Sequence, residues 1–448
     1  MYEKLIAGRV VTPTGILENG WIATMQGSIA AIGSGPRPEA AVTLEYGQAW
    51  ILPGTVDGQT HAGSQIGFDG MLPTTKAAVI GGVTTIVDMP YDEPDPIVTG
   101  DLLSAKVEAI NRLAVCDVAL YGTVPVAPVR ADVEALIAGG VCAFKISSFE
   151  AHPHRFPRID SAATRKLIEM LAGSGLPLGL HNEDQEIVRA LAKQFKDTGR
   201  VAPIDHSPSR PEVAELAATA TFLSLGAGQP TPLHIVHIST PAGFALVRQQ
   251  HDAGARATGE MCVHYLHFDA DEDVPRLGGL LKVNPPIRAG RREALWQVIE
   301  AGDCAFISSD HSAWPLERKT NTSIFDVAAG MPGLENLLPV FFSDCVARYG
   351  ADMAAAMSAD WLSDRPARFF GLTRKGRLLP GMDADIAVLA PEPSVHDAKA
   401  NPDGPGWSAY EGETMAVTPL ATFVRGQLAY DGTSVVAKPG SGRFVSRG

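Results

Sequence analysis

Five short apolar runs in this chain each stop at a residue able to carry a proton or hold a metal ion: Trp50–His61, Gly139–Lys145, Leu176–His181, Leu233–His237 and Cys304–Asp310. Lys145 constrains the fold most. It closes the β-type sequence Val141-Cys-Ala-Phe-Lys, where an ammonium group would be buried against a desolvation cost and so needs a reason to be there. A single histidine at such a position is as easily a core or loop residue as a functional one. Parallel strands ending in His, Lys, His, His and Asp, however, would put those side chains on one rim of a barrel. That clustering reads as a metal site.

The intervening sequence supports the arrangement. Alanine- and leucine-rich helical stretches (Asp132–Ala138, Ser161–Ala172, Pro211–Leu225, Pro241–Ala253) alternate with apolar strands, which is the order of parallel β/α units. The strand-like runs are Trp50–Val56, Val83–Met89, Asp117–Val124, Val141–Ile146, Leu178–His181, Leu233–His237, Ala255–Met261 and Cys304–Ser308, eight in all. The expected fold is therefore α/β, a TIM-type (β/α)8 barrel. A doubly wound sheet is the second topology, but it would gather functional groups at one switch point instead of around a ring. Residues 1–50 alternate apolar with polar or glycine, and the pattern returns in Ala384–Leu389, Ala421–Gly426 and Gln427–Gly432, where Asp431-Gly432 marks a hairpin. Both chain ends are thus expected to share a small β-sandwich. The boundaries read as 1–50 and 376–448 for the sandwich and 51–375 for the barrel.

Composition narrows the function. The net charge of −13 over 448 residues argues against nucleic acid or an anionic membrane as partner and leaves small molecules. The amino terminus lacks a signal-peptide pattern and no apolar run could span a bilayer, so the expected location is cytoplasmic. Five scattered cysteines without Cys-x-x-Cys spacing read as buried free thiols. There is no phosphate-binding P-loop, no dinucleotide fingerprint and no internal repeat.

Across nearly its whole length the chain resembles the cyclic amidohydrolases, a group containing dihydropyrimidinase, hydantoinase, allantoinase and dihydroorotase. The motifs that carry the resemblance are Ile51–His61, Gly81–Pro90, Phe144-Lys145, Leu180–Glu183, His234–Ser239, Glu260–Leu266, Lys282–Arg288, Ser309–His311, Gly333–Glu335 and Pro380–Asp385. The resemblance implies a lysine, here Lys145, carboxylated by CO2 and bridging two divalent ions, zinc first, with manganese or cobalt as alternatives. His61 and Asp310 would serve the first ion, and His181 and His237 the second. Attack of a metal-activated hydroxide on a ring carbonyl would follow, with Asp310 as general base and then acid. The family also implies a homotetramer or homodimer.

One position departs from the pattern. Relatives carry His-x-His after the first strand, whereas Gln59-Thr60-His61 puts a neutral amide in the first place. An amide oxygen is a weak ligand, so one or two ions per chain are expected, with the site of His61, Lys145 and Asp310 the weaker. A non-catalytic oligomeric relative, or a hydrolase of a noncyclic amide or ureido compound, are the alternatives. Gly63 stands where dihydroorotase-type members place an arginine, and Glu150 and Pro332 stand where dihydropyrimidinase-type members place tyrosine and asparagine. Asn284, Arg155 and His311 are the substrate-binding candidates, with Arg158 also on the loop after the lysine strand. Glu260 and His264 are expected to orient ligands from behind.

Overall fold

A computed structural model describes residues 1–448. Seven strands (Thr55–Thr60, Val83–Asp88, Asp117–Gly122, Ala143–Ser147, Leu178–His181, Leu233–Ile235 and Ala257–Gly259) form one parallel sheet whose spatial order follows the chain. The longer strands are buried along both faces, which is why they read as continuous apolar runs and not as alternating ones. Helices such as Gly100–Leu113, Arg130–Ala138 and Glu212–Leu225 return the chain between them. The sheet curls. Beyond its last strand, Met261–Cys262 pairs in parallel with Ile307–Ser308, and Thr60 of the first strand bridges His311.

Two expectations need correction here. The seventh run is broken in two at Glu260, because its carboxylate accepts the His237 backbone N–H at 2.8 Å and the Ser308 hydroxyl at 2.6 Å. The eighth run contributes only Ile307–Ser308 as strand. Close approach explains one glycine: a Cβ on Gly58 would lie 2.4 Å from the Phe306 ring.

The chain ends do join, but as one mixed sheet in place of the expected sandwich. Its order is Gln427–Tyr430, Thr418–Val424, Ile386–Ala390, Ala40–Pro53, Tyr2–Thr12, Gly15–Met25 and Ser28–Ser34. The reason is the long strand Ala40–Pro53, which pairs with Tyr2–Thr12 on one side and Ile386–Ala390 on the other, so the ladder is continuous. Neighbouring residues face opposite ways: Val10 and Ile51 pack in a cluster of 13 residues with Ile386 and Phe423, while Val11 and Leu52 join the large core. Lys375 locks this sheet to the parallel one, its ammonium 2.5 Å from Asp117, 2.6 Å from Asp385 and 3.0 Å from Asp383. Those three carboxylates lie close enough to share a cation, and here the lysine is that cation. The five cysteines are buried and unpaired, and no helix is long and apolar enough to cross a membrane.

Candidate metal centre

The carboxyl ends of the parallel strands bring the expected residues together. Gln59, His61, Lys145, His181, His237 and Asp310 line one cavity of about 420 Å³, and Asn284 and Arg155 stand in its wall. Lys145 and His181 sit on strands; His237 and Asp310 follow theirs by two residues, each with positive φ, 42° and 49°. Residues other than glycine held there store backbone strain, and such positions gather at functional sites.

Within the cluster, His181 Nδ1 lies 2.9 Å from His237 Nε2. The other edge of each ring is treated differently. His181 Nε2 is 3.0 Å from Glu183 Oε2, and Glu183 in turn takes two bonds of 2.7 Å from Arg210. His237 Nδ1 is buried without a partner. On the opposite side, Gln59 Nε2 donates to Asp310 Oδ1 at 2.6 Å, His61 Nε2 is 3.4 Å from the same oxygen, and Gln59 Oε1 is buried without a partner.

Burial dominates the electrostatics. It pushes the Lys145 amine down to about 8, against the pull of Asp310 and Glu260, and it lowers both His181 and His237, so these imidazoles stay neutral. Asp310 behaves oppositely. Burial would raise its pKa, but the hydrogen bond from His61 and the nearby Lys145 ammonium outweigh it and keep the carboxylate ionised.

Residues 50–429 match the family model described as Amidohydrolase family. An allantoinase from Rubrobacter xylanophilus is 32% identical over 450 aligned residues, covering 99% of this chain and 97% of that protein. The chain belongs to the amidohydrolase family. An L-hydantoinase from Paenarthrobacter aurescens is 28% identical to this amidohydrolase, with 100% of the chain and 98% of that protein covered. The solved structure titled L-hydantoinase (dihydropyrimidinase) from Arthrobacter aurescens matches the fold with a TM-score of 0.93 at 27% identity over the full length of both chains.

The donor set of this amidohydrolase fits divalent metal. Two neutral imidazoles turn nitrogen toward nitrogen, an ionised carboxylate sits opposite, and Lys145 between them forms neither an ion pair nor a side-chain hydrogen bond. An amine with its pKa lowered by burial is also one that can lose a proton and react with CO2.

Other expected residues fall elsewhere. His311 lines a neighbouring cavity of about 350 Å³ together with Pro332, and its Nδ1 accepts the N–H groups of Gly333 and Leu334 at 3.1 and 3.3 Å. Its position beside Asp310 is thus served by the backbone, since His61 N donates to the His311 carbonyl. Arg158 pairs with Glu186 and Glu150 with Arg189, both away from the cavity. Arg155 reaches it, although Glu93 at 2.9 Å and the Ser64 carbonyl at 2.9 Å already hold its guanidinium. Glu260, raised to about 8 by burial, holds the His237 backbone, while His264 forms no side-chain bond to any of the candidate ligands. Gly63 has a steric cause: a Cβ there would be 1.9 Å from Asp92 Oδ1.

Sequence reasoning missed several supports. Glu183 and Arg210 prop His181, and an acid two residues past a strand-end histidine was the signal for the first. Asp57 accepts Thr60 Oγ1 at 2.6 Å, Ser309 N at 2.8 Å and Ser309 Oγ at 2.7 Å, tying the first strand to the turn that carries Asp310. Tyr91 and Phe156 stack at 3.7 Å between centroids over the site.

Proposed function

We propose that this amidohydrolase opens a cyclic amide, of hydantoin, dihydropyrimidine, allantoin or imide type, in a metal-dependent reaction. The observation that carries the reading is the convergence of Lys145, His181, His237 and Asp310 on one cavity at the strand ends. His181 and His237 would hold one ion through their facing nitrogens. Carboxylated Lys145, formed when its neutral amine adds CO2 and releases a proton, would bridge to a second ion shared by His61 and Asp310, with Gln59 a weak ligand or none. The bound ions, zinc first with manganese or cobalt as alternatives, would polarise the ring carbonyl and acidify a water.

The protein's own groups do the rest. Asp310, kept ionised by its neighbours, takes the proton of the attacking water and returns it to the departing ring nitrogen. Asn284, whose buried Oδ1 has no partner, accepts a ring N–H. Tyr91 and Phe156 shield the site from bulk water. We further read the curled sheet as a (β/α)8 barrel spanning 51–375, closed through Met261–Cys262 and Ile307–Ser308, the chain as cytoplasmic, and the assembly as a homotetramer or homodimer. Light scattering checks the last point.

The test is a panel of hydantoins, dihydropyrimidines, allantoin and imides assayed with zinc, manganese and cobalt, beside chelated protein. Ring opening that is lost on chelation and restored by metal is expected. Equal turnover with and without chelator would sink the proposal.

A further inference from the structure

The charge around the cavity is lopsided. Lys145, Arg155, Lys282 and Arg318 line it, and its only acidic residue is Asp310, which the proposed chemistry already uses. Three of the four cations are accounted for. Lys145 belongs to the metal cluster, Arg155 is held by Glu93, and Lys282 gives its ammonium to the carbonyls of Ile324 at 2.6 Å and Val327 at 2.5 Å. Arg318 has no such partner. Its guanidinium lies 5.3 Å from the Trp314 ring centroid and pairs with no carboxylate.

The base of that arginine is fixed although its head is exposed. It ends the short turn Leu316–Arg318, and the next residue, Lys319, is buried with its ammonium bonded to the carbonyls of Lys282 at 3.0 Å, Ala328 at 2.8 Å and Gly330 at 2.7 Å. Trp314 is anchored in the same way, its indole N–H donating to the Ala329 carbonyl at 2.8 Å. A guanidinium on a rigid rim, over a cavity with no free acid, is a ready donor fork for a carboxylate and raises the local concentration of anions.

We propose that the preferred substrate is a cyclic amide whose ring substituent ends in a carboxylate, and that Arg318 is the residue that selects it. The inference rests on the cyclic-amide reading and narrows it. The anion would be met from the 314–330 segment and not from the loop after the first strand, where Gly63 leaves room only for Asp92.

The experiment compares hydantoin-5-acetic acid with its uncharged primary amide on the metal-loaded full-length protein, by kcat/KM and by calorimetric binding. A hydrogen-bonded charge pair of this kind gives roughly a tenfold or larger preference for the acid. The preference should reside mainly in KM and shrink as salt is raised. Arg318→Gln should bring the acid-to-amide ratio toward one, and Arg318→Lys should keep part of it. Two hydantoins opened and bound equally well, or a ratio that Arg318→Gln does not move, would overturn the inference while leaving the reaction class standing. If protein of verified metal content opens neither ring nor any member of the dihydropyrimidine, allantoin and imide panel, the cyclic-amide reading falls and this inference with it.

Discussion

The two halves of the strand-end cluster are built to different standards. On the His181–His237 side charged groups stand behind both residues: Glu183 and Arg210 behind one ring, and Glu260 on the backbone of the other, although His237 Nδ1 has no partner. On the Gln59–His61–Asp310 side the amide of Gln59 gives its N–H to Asp310 and leaves its oxygen without a partner. The first half is the one we propose as the better-supported ion site. The second is partly organised around its own hydrogen bond. The difference shows the Gln59 amide engaged with Asp310 and with no group of the opposite half.

In the proposed arrangement Lys145 would serve both halves, so its removal is expected to have the largest effect. Lys145→Ala should abolish turnover by at least about a thousandfold if the bridging ligand is essential to metal chemistry. Bound metal, read by elemental analysis, should fall on both sides. Partial recovery with added propionate, a carboxylate able to stand in the space of the missing side chain, would distinguish loss of a ligand from loss of fold. An alanine variant with full metal content and turnover would remove Lys145 from the site.

Next in size is the prop behind the stronger half. Arg210→Met leaves the Glu183 carboxylate buried beside His181 without its cation, and breaking such a pair costs roughly 3–5 kcal/mol. Denaturant unfolding should show that loss. Metal affinity should fall by roughly 10- to 100-fold, as for other groups that orient ligands. Unchanged stability would mean that the pair contributes little and that His181 is placed by its strand alone.

Gln59→His tests the weaker half directly. Protein purified without added metal should contain clearly fewer than two ions per chain, and the histidine variant should approach two, because zinc prefers imidazole nitrogen to an amide oxygen. The substitution also deletes the 2.6 Å bond to Asp310, which frees that carboxylate. Two tightly held ions in the unaltered protein would show Gln59 to be an adequate ligand.

The same contrast explains what could be read from the chain. Lys145, His181 and His237 were legible because each terminates an apolar run, and a strand end translates directly into a place on a rim. Asp310 was legible for the same reason, whereas Gln59 stood out only as a departure from the His-x-His pattern of the family the chain resembles. Arg210 and Arg318 were not legible, since one reaches Glu183 and the other the cavity wall from segments with no strand signal, and only tertiary packing brings them there. His311 was misplaced because adjacency to Asp310 says nothing about which way its ring turns, and the N–H groups of Gly333 and Leu334 turn it toward the second cavity. In the fold, the order of β/α units was readable, whereas the break at Glu260 depends on bonds to His237 and Ser308 that no local pattern announces. Periodicity likewise marked the terminal strands without saying that one long strand would join them into a single sheet.

The smallest expected effect lies in an acid outside the cluster, Glu335, whose titration runs opposite to that of Glu183. Glu183 faces Arg210, and although burial opposes ionisation, the guanidinium and His181 hold its pKa well below the usual carboxylate range. Glu335, in the second cavity behind His311, has only the Asn401 amide at 2.5 Å, and burial pushes it up to about 7. The two therefore act on stability with opposite signs. A depressed acid contributes stability above its unfolded pKa and loses it as the pH falls; a raised acid contributes below its unfolded value, near 4.5, and loses it as the pH rises through about 7. Glu335→Gln keeps the side chain's size and removes the titration. The variant should lose less stability than the unaltered protein between pH 5 and pH 8, and should compare best with it at the alkaline end. Chemical unfolding at a series of pH values reads this out, with Glu183→Gln as the counterpart that should flatten the acid side instead. Parallel curves for the Glu335→Gln variant and the parent would place the alkaline sensitivity elsewhere, with Asp57 and Glu260, both raised by burial, the next groups to change.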